Sequence, residues 1–165
     1  MKLQKYLTLG GLIVLLGVVI LAIYHQHQAP SKVNSGGNTM QNKSTINHHV
    51  TVSFNGHNFS ATLNDSPVSQ DILKQLPFTA SFKTYVNNKE KITDLDFKPH
   101  LGNYDYDEVG KKGKIAYWQP DNRIVIYYGD VGAYPGIKVI GSFDDLKAVS
   151  FFQQSPDNTE VTFKN

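Results

Sequence analysis

The chain has 165 residues, a formal net charge of +2, 40% hydrophobic and 18% charged residues, and no cysteine. The missing cysteine excludes disulfides, a thiol nucleophile and a lipid-modified cysteine anchor. Four of the 16 basic residues, Lys2, Lys5, Lys32 and Lys43, precede His48 and leave 12 basic against 14 acidic residues beyond it. That near-neutral balance argues against a nucleic-acid partner.

Residues 1–6 carry Lys2 and Lys5 and are followed by an uncharged run from Leu7 to Tyr24. As a helix this run would measure roughly 27 Å, close to the thickness of a bilayer's hydrocarbon core. It is read as a single transmembrane anchor, residues 7–24, and the two lysines place residues 1–6 in the cytoplasm and the remainder outside it. The alternative is a secretory signal that is cleaved. Against cleavage, Ala22-Ile23-Tyr24-His25-Gln26-His27 offers no small-x-small pattern. From His25 to Asn47 the chain is rich in Gln, Asn, Ser and Gly and poor in apolar residues, so it is expected to be a polar linker spanning roughly 25 to 30 Å.

The domain is expected to run from 48 to 165, a length suited to one core. Val50, Val52 and Phe54 alternate with polar residues, Asn55-Gly56 supplies a hairpin turn, and Asn58 to Leu63 returns. Asn64-Asp65-Ser66-Pro67 predicts a helix start capped by Asp65 or Ser66, with Val68, Ile72, Leu73 and Leu76 as its apolar stripe and Pro77 as its stop. Strands are expected over Phe78–Val86 and near Lys91–Leu95. The stretch from Lys98 to Lys112 has no sustained period and is expected to be a long loop, a kind of segment that is often functional. Lys114–Trp118 and Arg123–Tyr128 flank Gln119-Pro120-Asp121-Asn122 as the clearest hairpin. A strand at Ile137–Gly141 then leads to a short helix that Ser142 can cap with an acidic first turn, and Thr159–Lys164 closes the chain as a strand. About eight strands and two short helices imply a mainly β fold, closed as a barrel to remove exposed edges.

The run Gly113-Lys114-Ile115-Ala116-Tyr117-Trp118-Gln119-Pro120, then Ile124–Gly129, then Ile140-Gly141, resembles the small bacterial cyclophilin-like domains. The opening hairpin, Leu63-Asn64-Asp65-Ser66-Pro67 and Leu76-Pro77-Phe78 are similar to the same family. The resemblance covers 48–165 and implies a closed cyclophilin-like β-barrel. It raises peptidyl-prolyl isomerisation, in which an arginine supports the twisting amide. The one arginine here, Arg123, follows a turn and lies in no segment like the cyclophilin arginine motif, so no catalytic residue is carried over.

Other chemistry has weak support in the sequence. His25, His27, His48 and His49 read as solvated histidines, with no metal expected and no cofactor. Asp105-Tyr106-Asp107-Glu108-Val109-Gly110 resembles the start of a calcium loop, but Val109 and Ala116 stand where oxygen ligands belong. Asp94 and Asp96 would share one side of a strand and read as surface acids. Tyrosines offer an apolar face with a polar tip. Tyr117 and one of Tyr127 and Tyr128 are assigned to packing. Tyr104, Tyr106, His100, Trp118 and Arg123 are the ligand candidates, for a peptide, glycan or small molecule. The expected function is a membrane-tethered binding module, with an isomerase or other enzyme as the alternative and an envelope-assembly role third.

Overall fold

The computed structural model describes residues 46–86, 88–103 and 105–165. The proposed anchor at 7–24, most of the linker and Tyr104 lie outside the described residues. Among those described, no helix is long and apolar enough to cross a membrane.

The described residues form ten strands and two helices in the order β1 (His48–Phe54), β2 (His57–Leu63), α1 (Pro67–Lys74), β3 (Phe78–Thr84), β4 (Glu90–Asp94), β5 (Val109–Gly110), β6 (Lys114–Trp118), β7 (Arg123–Tyr127), β8 (Gly132–Ala133), β9 (Ile137–Phe143), α2 (Leu146–Gln154) and β10 (Thr159–Lys164). Eight of the strands close into an antiparallel barrel in the order β1-β10-β3-β4-β7-β6-β9-β2. β5 and β8 pair with each other as a separate two-stranded flap.

Local chemistry explains the turns. Asn55 and Gly56 both have positive φ, 49° and 76°, the backbone that joins two twisted strands in two residues. Asn122, at φ 54°, ends the β6–β7 turn. Its side chain accepts from the Tyr117 hydroxyl and donates to the carbonyls of Leu95 and Phe97, fastening the chain after β4 to this turn. Ser66 caps α1, its hydroxyl accepting from the Ser69 N–H, and Pro67 occupies the first turn.

The second helix differs from expectation. β9 stays paired with β2 as far as Phe143, so Ser142 is in a strand opposite Thr62 and cannot cap a helix. The cap is Asp145, whose carboxylate accepts from the Lys147 N–H, and the first turn of α2 holds no acidic residue.

Inward side chains of the barrel strands, including Val52, Phe82, Ile115, Tyr117, Ile126 and Phe163, form the main core with Val68 and Ile72 of α1 and Val149 and Phe152 of α2. The helices close opposite ends of β1: His48 meets Gln70 of α1, and Phe54 meets Phe152 of α2 with ring centroids 5.1 Å apart. A second, smaller core of Ile92, Ala116, Val125, Tyr127 and Ile137 lies on the outside of β4, β7, β6 and β9. Those four strands are thus buried on both faces. The expected long loop supplies part of the cover. It contains β5, and its Leu101 and Tyr106 pack against the main core.

Candidate functional site on the outer face of the barrel

The outer core stops short of filling the space above it, leaving an open groove with a cavity of about 310 Å³. Its floor is Ile92, Val125, Tyr127 and Ile137, the outward residues of β4, β7 and β9. Period-two alternation puts them there, because Ile124 and Ile126 on β7 turn inward to the main core. Tyr85 and Val86 form one wall at the end of β3. Trp118 of β6 forms another with Tyr134, which follows the flap strand β8. Val131 comes from the chain just before β8.

Trp118 is held on three sides. Its indole N–H donates to the Pro135 carbonyl at 3.1 Å. The Tyr134 ring meets it edge-on with centroids 6.2 Å apart, and the Arg123 guanidinium lies 5.3 Å from its ring centre. Gly136 makes this approach possible: at φ 89° it favours glycine, and a Cβ there would fall 2.6 Å from Pro120 Cδ.

Arg123 marks one end of the groove. Its Nε donates to Asp94 Oδ1 at 2.8 Å and its Nη2 to Asp121 Oδ2 at 2.9 Å, with only 12% of the side chain exposed. Two carboxylates and two aromatic rings therefore fix the guanidinium plane, since Tyr85 also lies 6.0 Å beneath it. Glu90, buried and opposite Tyr127, marks the other end. Arg123 pairs with Asp94, four positions along β4 from Glu90, so the two charges are separated by roughly 13 Å of strand. Burial, and then the Glu90 carboxylate, hold the Tyr127 phenol far above the ordinary tyrosine range, keeping it un-ionised at neutral pH.

The sequence candidates are dispersed. Trp118 and Arg123 come together in the groove, whereas Tyr106 and His100 lie elsewhere. The Tyr106 hydroxyl donates to the Leu101 carbonyl and its ring packs on the main core. His100 is exposed in a shallow hollow, its backbone N–H donating to Asp71 Oδ2. Asp94 is the partner of Arg123, and Asp96 lies beyond the end of β4. His48 sits 3.6 Å from Asp65, and His49 contacts Thr62. Of the two adjacent tyrosines, Tyr128 points into the main core and Tyr127 into the outer one. Tyr85, Tyr127 and Tyr134 were not among the ligand candidates drawn from the sequence. The consecutive Tyr127-Tyr128 pair was the available signal, because an unbroken apolar run marks a strand buried on both sides.

Chemically, the groove offers flat apolar surfaces, one fixed cation and one carboxylate. Its described lining holds no serine, threonine, cysteine or histidine, and its hydroxyls are those of Tyr85, Tyr127 and Tyr134.

Comparison with known proteins places this geometry. The sequence model of a family described as the cyclophilin-like family matches residues 52–164. No curated protein sequence matches the chain. Among solved structures, the solution structure of the hypothetical protein AF2241 from Archaeoglobus fulgidus is similar, with a TM-score of 0.56 at 13% identity, covering 74% of this chain and 98% of that one. A structure of McbB in complex with tryptophan is similar with a TM-score of 0.53 at 12% identity, covering 70% of this chain but only 44% of that one. At such identities both likenesses show the fold alone.

Proposed function

The chain belongs to the cyclophilin-like family, and from that premise we propose that it is a binding module whose outer-face groove takes an apolar or aromatic group of a peptide, glycan or small molecule. The observation that carries this reading is the fixed setting of Trp118. A ring held by Pro135, Tyr134 and Arg123 is already in position, so a ligand stacking on it loses little side-chain freedom from the protein. The apolar segment 7–24 supports a tether that holds the module outside the cytoplasm.

One observation favours a second reading, prolyl isomerisation. The Arg123 guanidinium lies within an apolar groove open to solvent. A donor there would have to stabilise a twisted amide against a barrier of about 20 kcal/mol. The same two carboxylates that fix the guanidinium also compensate its charge, which favours binding over catalysis.

A single experiment separates the readings. The chain has one tryptophan, so the Trp118 indole N–H gives one resonance that reports on the groove. Acetyl-Ala-Ala-Pro-Phe-amide is added, and exchange between its cis and trans prolyl forms is followed in the same sample. A binding module shifts the indole resonance without speeding exchange, and Trp118→Ala weakens binding at least tenfold. Faster exchange that Arg123→Ala abolishes establishes the isomerase. An unmoved indole resonance would rule out the groove as a site for this peptide class.

A further inference from the structure

The barrel is closed unevenly. β3 and β4 are paired only at Lys83↔Ile92 and Thr84↔Lys91. The same register would carry Phe82, Ser81 and Ala80 opposite Thr93, Asp94 and Leu95, yet the ladder stops. Between the two strands lies a second cavity, also about 310 Å³, bordered by Phe78, Ala80, Ser81, Thr93, Leu95 and Phe97. The cause is on the β4 side. Asn122 holds the carbonyls of Leu95 and Phe97, and Leu95 donates its N–H to the Asn122 carbonyl, so the chain beyond β4 follows the β6–β7 turn away from β3.

The direction of the backbone groups at this seam follows from parity. Tyr85 donates its N–H to the Glu90 carbonyl, across to β4. Thr84 donates to Asp157, on the side of β10. Odd-numbered residues of β3 therefore face β4, and Ser81 and Thr79 turn their N–H and C=O groups into the open seam. Even-numbered Phe78 and Ala80 point inward, where with Leu95 and Phe97 they are only partly buried against the main core. The outer rim is polar, with Thr79, Ser81, Asp94 and Asp96.

We propose that this seam is a docking site for an extended peptide segment, which pairs with β3 at Thr79 and Ser81. The occupant is specified by the chemistry of the opening. Outward-turned strand backbone calls for another strand. The apolar inner wall calls for apolar side chains at alternate positions, and on the rim, where Asp94 is already held by Arg123, the Asp96 carboxylate calls for a basic side chain between them. From Phe78 to Phe82 the seam runs five residues, or roughly 16 Å, so a segment of about five residues fills it. The seam shares no lining residue with the groove and touches it only through the Asp94–Arg123 ion pair, so the proposal does not rest on what the groove binds.

The test uses the full chain, labelled with nitrogen-15 in detergent micelles, and the peptide acetyl-Lys-Val-Lys-Val-Lys-amide. Its alternately N-methylated version keeps the side chains and loses strand donors. The amides of Thr79 and Ser81 are expected to exchange rapidly with solvent in the free chain. They should slow at least tenfold with the first peptide and not with the second. Ser81→Pro removes a seam-facing donor, leaves the β10 side intact, and should weaken the peptide at least tenfold without moving the Trp118 indole resonance. If that variant does not fold, the exchange comparison decides alone. Four results would overturn the proposal: protection of both amides without peptide, no slowing with it, a Trp118 shift without slowing, or protection that grows with protein concentration alone. The third would place the peptide in the groove and the last would make the occupant a second copy of the chain.

Discussion

Asn122 shows how one side chain can organise several elements. Its carboxamide joins the Tyr117 hydroxyl to two carbonyls beyond β4, and its φ of 54° is a conformation that asparagine tolerates better than most residues. Asn122→Ala removes three hydrogen bonds and strains the backbone, and should cost about 3 kcal/mol in denaturant unfolding. Asn122→Gly relieves the strain but not the lost bonds, and should cost measurably less. A Gly variant as unstable as the Ala variant would show that backbone strain contributes nothing. Only the turn role of Asn122 was legible from the sequence, since Gln119-Pro120-Asp121-Asn122 has turn chemistry. The carbonyl partners were not, because they lie 25 and 27 residues away in the chain.

Elements divide between those that declare themselves and those that context creates. The β1–β2 hairpin and α1 were readable because Asn55-Gly56 and Ser66-Pro67 each carry a local mechanism. The cap of α2 was misread for the opposite reason. Ser142, Asp144 and Asp145 all have capping side chains, and the pairing of β9 with β2 selects among them. Accordingly, Asp145→Ala should lower stability by about 1 kcal/mol, whereas Ser142→Ala should change it by less than about 0.5 kcal/mol. Thermal unfolding of the two variants checks this. If Ser142→Ala is the costlier change, the helix starts where the sequence placed it. The flap strands β5 and β8 were invisible because two residues cannot express a period, and the groove they help to cover was hidden with them. Trp118 and Arg123 could be picked out by residue type, but Tyr85 and Tyr134 reach the site only through the way β3 and the flap are placed.

At the scale of the whole molecule, two surface carboxylates tie stability to pH. Asp157 is held below the ordinary carboxylate range by the Thr84 hydroxyl and N–H, and Asp71 by hydrogen bonds from Lys74 and the His100 backbone. A carboxyl whose folded value is depressed contributes stability above its unfolded value, about 3.9, and loses that contribution as the pH falls through the folded one. The stability gap between the native chain and Asp157→Asn should therefore be complete at pH 6 and close below about pH 4, as measured by urea unfolding across that range. A gap that widens on acidification would reverse the assignment. Localisation gives a further test of the proposed tether. The full chain should sediment with membranes and resist extraction by high salt, while a chain beginning at Ile46 should not. Equal behaviour of the two would remove the anchor from the functional reading.

The double-sided burial of β4, β7, β6 and β9 has a consequence for how this barrel can diverge. On β1 and β10 the burial pattern alternates, so every second position is open to substitution. On β7 the four residues after Arg123 are all buried, and no such position exists. The groove therefore rests on a backbone that drift cannot readily alter, while Val86 and Tyr134 at its margin are exposed, Val86 most of all. Descendants of such a chain would keep the shape of the floor and trade specificity by exchanging its rim.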